Sequence, residues 1–378
     1  MPAWVRPAAG QALPLAADDA APLGPLVGAS GLGMLVGALL FSAFGPGLPR
    51  RATFAWGFLL GGSPLFLVPA QRPGLVPDPS PPVPGGLDPN WIRAAVARAL
   101  DEDLGAEPGR DVTTQATVPA DETGVAHLVA RESGVVAGLV VVAEVLAQVA
   151  GRFALPAATV DLRVPDGAAV TAGDVLAVLA GPAQVLLMAE RTLLNFTRRA
   201  SGIATHTRRW ADALAGSSAE VLDTRKTMLG LRALEKYAVR CGGGTNKRMG
   251  LYDAAMVKDN HVVAAGSVTA AVAAVSTHFP DVVVQVEADT LDQAIEAIAA
   301  GARFLLLDNM ATPLLANVVG AVQAREGETG RVELEATGNL TLARSGEVAS
   351  TGVDYLSVGA LTHSSAILDL ALDLISRT

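Results

Sequence analysis

Six apolar runs in the second half of the sequence each end in residues able to handle charged ligands. The runs begin near Val221, Ala255, Val282, Phe304, Val332 and Tyr355. They finish in Asp223-Thr224-Arg225-Lys226, Lys258-Asp259-Asn260-His261, Glu287, Asp308-Asn309, Glu335-Ala336-Thr337-Gly338 and Ser357-Val358-Gly359. The inventory sorts by chemistry. Arg191, Arg225, Lys226, Lys247, Arg248 and Lys258 would bind several anionic groups. Glu287 and Asp308 would hold a divalent cation or meet a developing positive charge. Oxygen ligands of this kind suit Mg²⁺, usually shared with substrate phosphates. Thr337-Gly338 and Ser357-Val358-Gly359 offer the close approach of backbone N–H groups that a phosphate requires. The sum is a site for a polyanion with Mg²⁺ and a second substrate that bears carboxylates.

Charge distribution sharpens this reading. The chain has 28 Lys and Arg residues and a formal net charge of −9. Its only four lysines, Lys226, Lys236, Lys247 and Lys258, fall in one short window, and every other basic residue is Arg. Lysine supplies a compact ammonium where arginine supplies a flat fork, so the clustering points to a local anion pocket. The acidic balance argues against general nucleic-acid binding, which wants a basic stripe. No Ser-His-Asp order, Cys-His pairing or zinc spacing links His127, His206, His261, His278 and His363. The one cysteine, Cys241, permits no internal disulfide, and a reducing compartment is the default.

The elements that must position these residues follow from spacing. Helical segments such as Val268–Thr277 and Leu291–Ala300 separate the apolar runs, which is the rhythm of successive βα units. In an α/β barrel the carboxyl ends of the strands converge on one face, where the active site belongs. Upstream, Asp88-Pro89 reads as an N-cap followed by Pro at N1. Ile92, Ala95, Val96, Ala99 and Leu100 repeat at helical spacing before Gly105. Residues 123–180 look strand-rich, with runs at Val135–Val142 and Asp174–Leu179. A long helix is expected from Gln184 to Ala215, with Arg198, Arg199, Arg208 and Arg209 as surface or interface charges. Hydrophobic residues make up 51% of the chain and aromatics only 4%, so the core must be built from Ala, Val and Leu.

At the strand ends the sequence carries a specific resemblance. The segment from Asp223 to His261 (DTRKTMLGLRALEKYAVRCGGGTNKRMGLYDAAMVKDNH) resembles the signature of the quinolinate phosphoribosyltransferase family, the carboxylating nicotinate-nucleotide pyrophosphorylases. Flanking segments agree: Arg110–Thr114, Val135–Leu139, Glu190–Thr192, Ser201–Ala204, Val286–Ala288, Leu306–Asn309 and Ser357–His363. The resemblance covers about residues 87–378. It implies an N-terminal α/β sandwich domain, residues 87–193 plus a C-terminal helix over about 364–378, and an incomplete α/β barrel over 194–363. It further implies condensation of quinolinate with phosphoribosyl pyrophosphate, giving nicotinate mononucleotide, pyrophosphate and CO2 for NAD synthesis in the cytoplasm. Mg²⁺ would be the cofactor, held by Glu287 and Asp308 through the substrate or water. A homodimer would form, with Arg191 reaching into the neighbouring site. Thr224, Arg225, Lys226 and Arg248 would grip the quinolinate carboxylates, and Lys247, where the family usually has His, could still bind a carboxylate with a different donor geometry. Lys258, Glu287 and Asp308 would handle the ribose, metal and pyrophosphate, and Thr337, Gly338 and Gly359 the 5′-phosphate. Lys226, Lys258, Glu287 and Asp308 would carry the catalysis.

Three positions depart from the family pattern. Asn246-Lys247-Arg248 stands where Asn-His-Arg is usual. Thr337-Gly338-Asn339 replaces Ser-Gly-Gly, with Asn among the few residues that tolerate a left-handed backbone. His206 replaces an apolar residue and is read as structural. These leave room for a relative that uses another aromatic acid or serves molybdenum uptake. A membrane-tethered binding protein is the third reading. Lys236 is expected on a solvated helix face, and Cys241 as a packed small residue. His261 and His363 stand open between an orienting role and a satisfied core role.

The N-terminus is of another character. Residues 21–49 and 52–71 carry no charge and flank Arg50-Arg51. The run GMLVGALLFSAFGPGLPRR, residues 33–51, resembles a helix and basic loop of the major facilitator transporters. A Pro-rich linker follows over 72–86. A hairpin with Arg50-Arg51 in the cytoplasm would place both of its ends outside, away from phosphoribosyl pyrophosphate. Residues 1–86, with the apolar extension over 1–71 as a transporter-like remnant, are therefore expected to be a fusion remnant or a misassigned start, with the working protein beginning between about Val76 and Leu87.

Overall fold

The structure is a computed structural model that describes residues 86–377. The expectations for the apolar extension and for nearly all of the linker lie outside the described residues. Helix α1 (Pro89–Leu104) starts as its sequence dictates. The Asp88 side chain accepts from Asn90 N–H at 2.9 Å, Pro89 occupies the first turn, and Ile92, Ala95, Val96, Leu100 and Leu104 form the buried stripe. Helix α2 (Val112–Thr117) is capped by Asp111, which accepts from the amides of Thr113 and Thr114.

A four-stranded antiparallel sheet comes next. It contains β1 (Thr123–Ala130), β3 (Thr159–Leu162), β5 (Val175–Pro182) and β12 (Leu370–Arg377), in the order β12-β1-β5-β3. Two short strands, β2 (Gly134–Val135) and β4 (Ala169–Val170), pair beside it. Two expectations need correction here. The run Val135–Val142 is not a strand. After Gly138, at φ +90°, the chain makes a 3₁₀ turn over Leu139–Val141 and enters helix α3 (Val142–Arg152). Val142, Val145, Leu146 and Val149 continue the apolar run at helical spacing, and a short unbroken run does not reveal its period. The segment over 364–378 is not a helix either. Leu370, Leu372 and Leu374 alternate with Ala371, Asp373 and Ile375, and this period-two pattern lets β12 pair along β1.

Helix α4 (Ala183–Ala213) is 31 residues long and runs unbroken through residues 193 and 194. It contacts both the antiparallel sheet and the elements of the second sheet. That sheet has six parallel strands: β6 (Glu220–Leu222), β7 (Ala254–Val257), β8 (Val283–Ala288), β9 (Phe304–Asp308), β10 (Glu333–Thr337) and β11 (Tyr355–Ser357). All six begin within two residues of the starts read from sequence. Their order is β6-β11-β10-β9-β8-β7, so β7 to β11 lie side by side in chain order and β6 pairs with β11. Helices α5 (Arg232–Cys241), α6 (Asp259–Ala265), α7 (Val268–His278), α8 (Leu291–Ala299) and α9 (Thr312–Gln323) lie between the strands in sequence. Among the described residues no single helix is long and apolar enough to cross a membrane.

Candidate active site

Strand register stacks the inward-facing side chains into rows. Successive side chains on a strand alternate faces, so residues two apart share one. The deepest row contains Met256, Gln285, Phe304 and Glu333. The next holds Glu287, Leu306, Glu335 and Tyr355, and the outermost holds Asp308, Thr337, Ser357 and Leu222. Leu222, Phe304, Leu306 and Tyr355, with Met256 against them, form a small apolar cluster separate from the main core. Phe304 and Tyr355 stack at 5.8 Å between centroids. Polar side chains occur in all three rows around this apolar cluster, and together the rows make the floor of a polar cavity.

The cavity, about 580 Å³, opens at the carboxyl ends of the parallel strands. Its walls include Thr224, Arg225, Lys226, Lys247, Arg248, Lys258, Glu287, Asp308, Thr337 and Gly338, all named from sequence. Gly359 sits at its edge, where an added Cβ would come within 3.0 Å of the Lys226 side chain. Arg191 does not line the cavity and is exposed on α4. Met256, Leu306 and Glu335 also line it and carry no individual role in the sequence reading, and Asn309, Asn339 and Ser357, read there only within their strand-end segments, line it too. Period-two alternation along β9 and β10 is the signal that points to Leu306 and Glu335, each two residues before a strand-end residue on the same face.

The cations fall into two groups. Arg225, Lys226 and Arg248 form no ion pair among the described residues. Burial lowers the Arg248 pKa from its usual value, and the neighbouring Arg225 charge adds to the effect. Two guanidiniums held this close favour a bound anion. Lys258 and Lys247 instead pair with carboxylates, Lys258 with Glu287 and Lys247 with Glu335. Burial pulls the Lys247 ammonium below the usual lysine range, and Glu335 pulls it back. Asp308 is pushed above the usual carboxylate range by burial and then by the charges of Glu287 and Asp289, with Lys258 opposing.

Helix α5 organises the loops that carry the cations. Lys236 is buried, not solvated as expected, and it binds Asp223 and the Lys247 carbonyl. Asp223 is fully buried and also accepts from Asn246 Nδ2 at 2.6 Å and Lys247 N–H at 2.9 Å. A surface lysine could not have satisfied an interior carboxylate, and this is why the position sits inside. Glu235, next along the helix, takes both Nε and Nη2 of Arg199 and the Met228 amide. Arg199 is thus a part-buried tie between α4 and α5, not a surface charge. Arg232 holds the Met249 carbonyl at 2.9 Å and Thr227 Oγ1 at 2.9 Å.

The turn after β10 is built on two successive left-handed residues. Gly338 and Asn339 are both left-handed, at φ +83° and +47°. A Cβ on Gly338 would collide with the Asn309 side chain. Asn309, itself at φ +52°, accepts from Asn339 Nδ2 at 3.0 Å, so the two asparagines brace each other. His261 Nδ1 accepts from the Lys258 amide at 2.9 Å and so orients that residue. His206 contacts Ser365 Oγ and the Trp210 indole, a structural role. His363 is exposed and contacts Ser364. Cys241 is buried, and burial pushes its thiol up to about 12, which suits packing and not nucleophilic attack.

A parallel α/β sheet that gathers unpaired cations, carboxylates and a left-handed phosphate-type turn at its carboxyl ends defines an enzyme of polyanionic substrates. Sequence comparison narrows the class. Residues 111–201 match the quinolinate phosphoribosyl transferase N-terminal domain and residues 203–373 its C-terminal domain. The chain belongs to the quinolinate phosphoribosyl transferase family. It is 48% identical over 282 residues to the carboxylating nicotinate-nucleotide pyrophosphorylase of Mycobacterium leprae, covering 75% of this chain and 96% of that protein. A probable carboxylating nicotinate-nucleotide pyrophosphorylase of Synechocystis is 39% identical over 295 residues, with 78% and 97% covered. The solved nicotinate-nucleotide pyrophosphorylase of Francisella tularensis superposes with a TM-score of 0.70 at 33% identity, covering 77% of this chain and 98% of that one.

Proposed function

We propose that the chain condenses quinolinate with phosphoribosyl pyrophosphate, releasing nicotinate mononucleotide, pyrophosphate and CO2, as a cytoplasmic step of NAD synthesis. The observation that carries the reading is the cavity in which Arg225, Lys226 and Arg248, without carboxylate partners, face Glu287 and Asp308. Two substrates rich in negative charge need unpaired cations. A sugar carbon that becomes positive needs carboxylates.

In this reading Thr224, Arg225, Lys226 and Arg248 grip the two carboxylates and aim the pyridine nitrogen at the anomeric carbon. Departure of pyrophosphate leaves oxocarbenium character there, which Glu287 and Asp308 stabilise electrostatically. Lys258, paired with Glu287, meets the charge of the leaving group. Thr337, Gly338 and Gly359 hold the 5′-phosphate through hydroxyl and backbone donors. Once the ring nitrogen is quaternary, loss of the adjacent carboxylate leaves electrons that the ring charge itself stabilises. The protein then mainly orients and desolvates that carboxylate.

Glu287 and Asp308 suit Mg²⁺ shared with substrate oxygens. The raised pKa of Asp308 beside two other carboxylates marks a place where a cation is favoured. No group of three or more His, Cys, Asp or Glu able to hold a metal exists among the described residues, so the substrate would complete the shell. When bound, the ion would neutralise pyrophosphate charge. Arg191, exposed and outside its own cavity, is assigned to the neighbouring site of a homodimer.

The test is turnover by the purified chain with quinolinate, phosphoribosyl pyrophosphate and Mg²⁺, following nicotinate mononucleotide, pyrophosphate and CO2 together. Nicotinate in place of quinolinate is the control. Product from nicotinate without CO2, and none from quinolinate, would overturn the reading.

A further inference from the structure

Glu335 is fully buried and lines the cavity, yet only one of its oxygens is used. Oε2 takes the Lys247 ammonium, and Oε1 is buried without a hydrogen-bond partner. On the adjacent strand, one row further out, Ser357 Oγ is also buried, unpartnered and at the cavity wall. A buried acceptor left without a donor is costly, so such an atom marks a place where a ligand supplies one. The chemistry of that donor is restricted. With Oε2 taken by the Lys247 ammonium, Oε1 presents an acceptor to the cavity, and a carboxylate in that position disfavours the close approach of carboxylates and phosphates. Within the function proposed above, on which this step rests, quinolinate has no N–H. The phosphates of the second substrate are largely deprotonated at neutral pH. Its two ribosyl hydroxyls are the donors that remain.

We infer that Glu335 accepts a hydrogen bond from a ribosyl hydroxyl of phosphoribosyl pyrophosphate and thereby selects ribose over deoxyribose. Lys247 is its positioning residue. It holds Oε2 from below, with its ammonium 5.6 Å from the centre of the Phe304 ring. Lys247 therefore serves the sugar side of the site and not a quinolinate carboxylate. Ser357 Oγ offers a second contact to the same sugar.

The experiment compares phosphoribosyl pyrophosphate with its 2-deoxy and 3-deoxy analogues. It uses the wild-type chain, Glu335→Gln, and the paired variant Lys247→Met/Glu335→Leu, which removes both charges together. The readout is the ratio of kcat/KM between substrates on one sample, which is independent of the folded fraction. Wild type should disfavour one deoxy analogue by at least about tenfold, the scale of a hydrogen bond to a charged group. The paired variant should compress that ratio to within about threefold, with the quinolinate KM changed by less than about threefold. An unchanged ratio in both variants overturns the inference, as does a rise confined to the quinolinate KM. Absence of wild-type turnover would instead strike the proposed function. Direct calorimetric binding of the three phosphoribosyl compounds then reads the same hydroxyl dependence without chemistry.

Discussion

Glu287 and Glu335 sit in the same row of the parallel sheet, two strands apart, with Leu306 between them, and each is bound by a lysine from another segment. The floor is thus locally neutral, whereas the wall at Arg225, Lys226 and Arg248 is not. Substrate anions have one side of the cavity on which to bind.

The wall can be tested directly. Arg225→Ala and Lys226→Ala should each lower kcat/KM for quinolinate by at least about 10²-fold, because a desolvated substrate charge loses its partner. Steady-state kinetics near wild type in either variant would remove this strand end from the substrate.

Assembly has its own readout. Arg191→Ala and Lys258→Ala should each be inactive alone. If Arg191 serves the neighbouring site, mixing the two variants should restore part of the activity after subunit exchange. No recovery, with mixing shown by mass spectrometry, would place Arg191 in its own subunit's chemistry.

Asp308 gives a pH signature with a definite sign. Its folded pKa is raised, so the native state binds a proton more tightly than the unfolded chain does. Protonation then stabilises the fold, and stability falls as pH rises from the ordinary carboxylate value through the raised one. Activity runs the other way, since the proposed role needs the anion. Asp289→Asn should shift the acid limb of kcat/KM to lower pH, because one of the charges raising Asp308 is gone. Asp308→Asn should raise Tm at neutral pH while abolishing turnover. A Tm that falls would contradict the raised value.

The buried pair of Lys236 and Asp223 carries structure. Lys236→Met should cost about 3–5 kcal/mol in urea unfolding by stranding the Asp223 charge. The double variant Asp223→Asn/Lys236→Met should recover much of that loss. Additive losses would mean that the pair is not coupled.

Asn339 is a backbone test. At φ +47° it should accept Gly with little change in the KM for phosphoribosyl pyrophosphate. Asn339→Val should destabilise by about 1–2 kcal/mol, the penalty for a Cβ in the left-handed region, and raise that KM. Equal behaviour of the two variants would show that the turn adapts.

Local pattern carried much of this architecture, and distant pairing did not. The strand ends at Asp223, Lys258, Glu287, Asp308, Thr337 and Ser357 were legible because each closes an apolar run. The left-handed Asn339 was legible from residue type. The burial of Lys236 is not legible locally, because its partner Asp223 lies 13 positions upstream, in a different element. The tie between Lys247 and Glu335 spans 88 positions. The final strand is not legible locally either, because the edge that makes it a strand is β1, more than two hundred residues upstream. Charge type announces that a residue wants a partner, and only the fold says which.

Helix α4 has a mechanical meaning beyond the residues it displays. At 31 residues it is about 46 Å long at 1.5 Å per residue, and it contacts both sheets. A continuous rod shared in this way leaves no hinge between the two halves that the family domains describe. Calorimetry on the described portion should therefore record a single cooperative melting transition, with calorimetric and van't Hoff enthalpies in agreement.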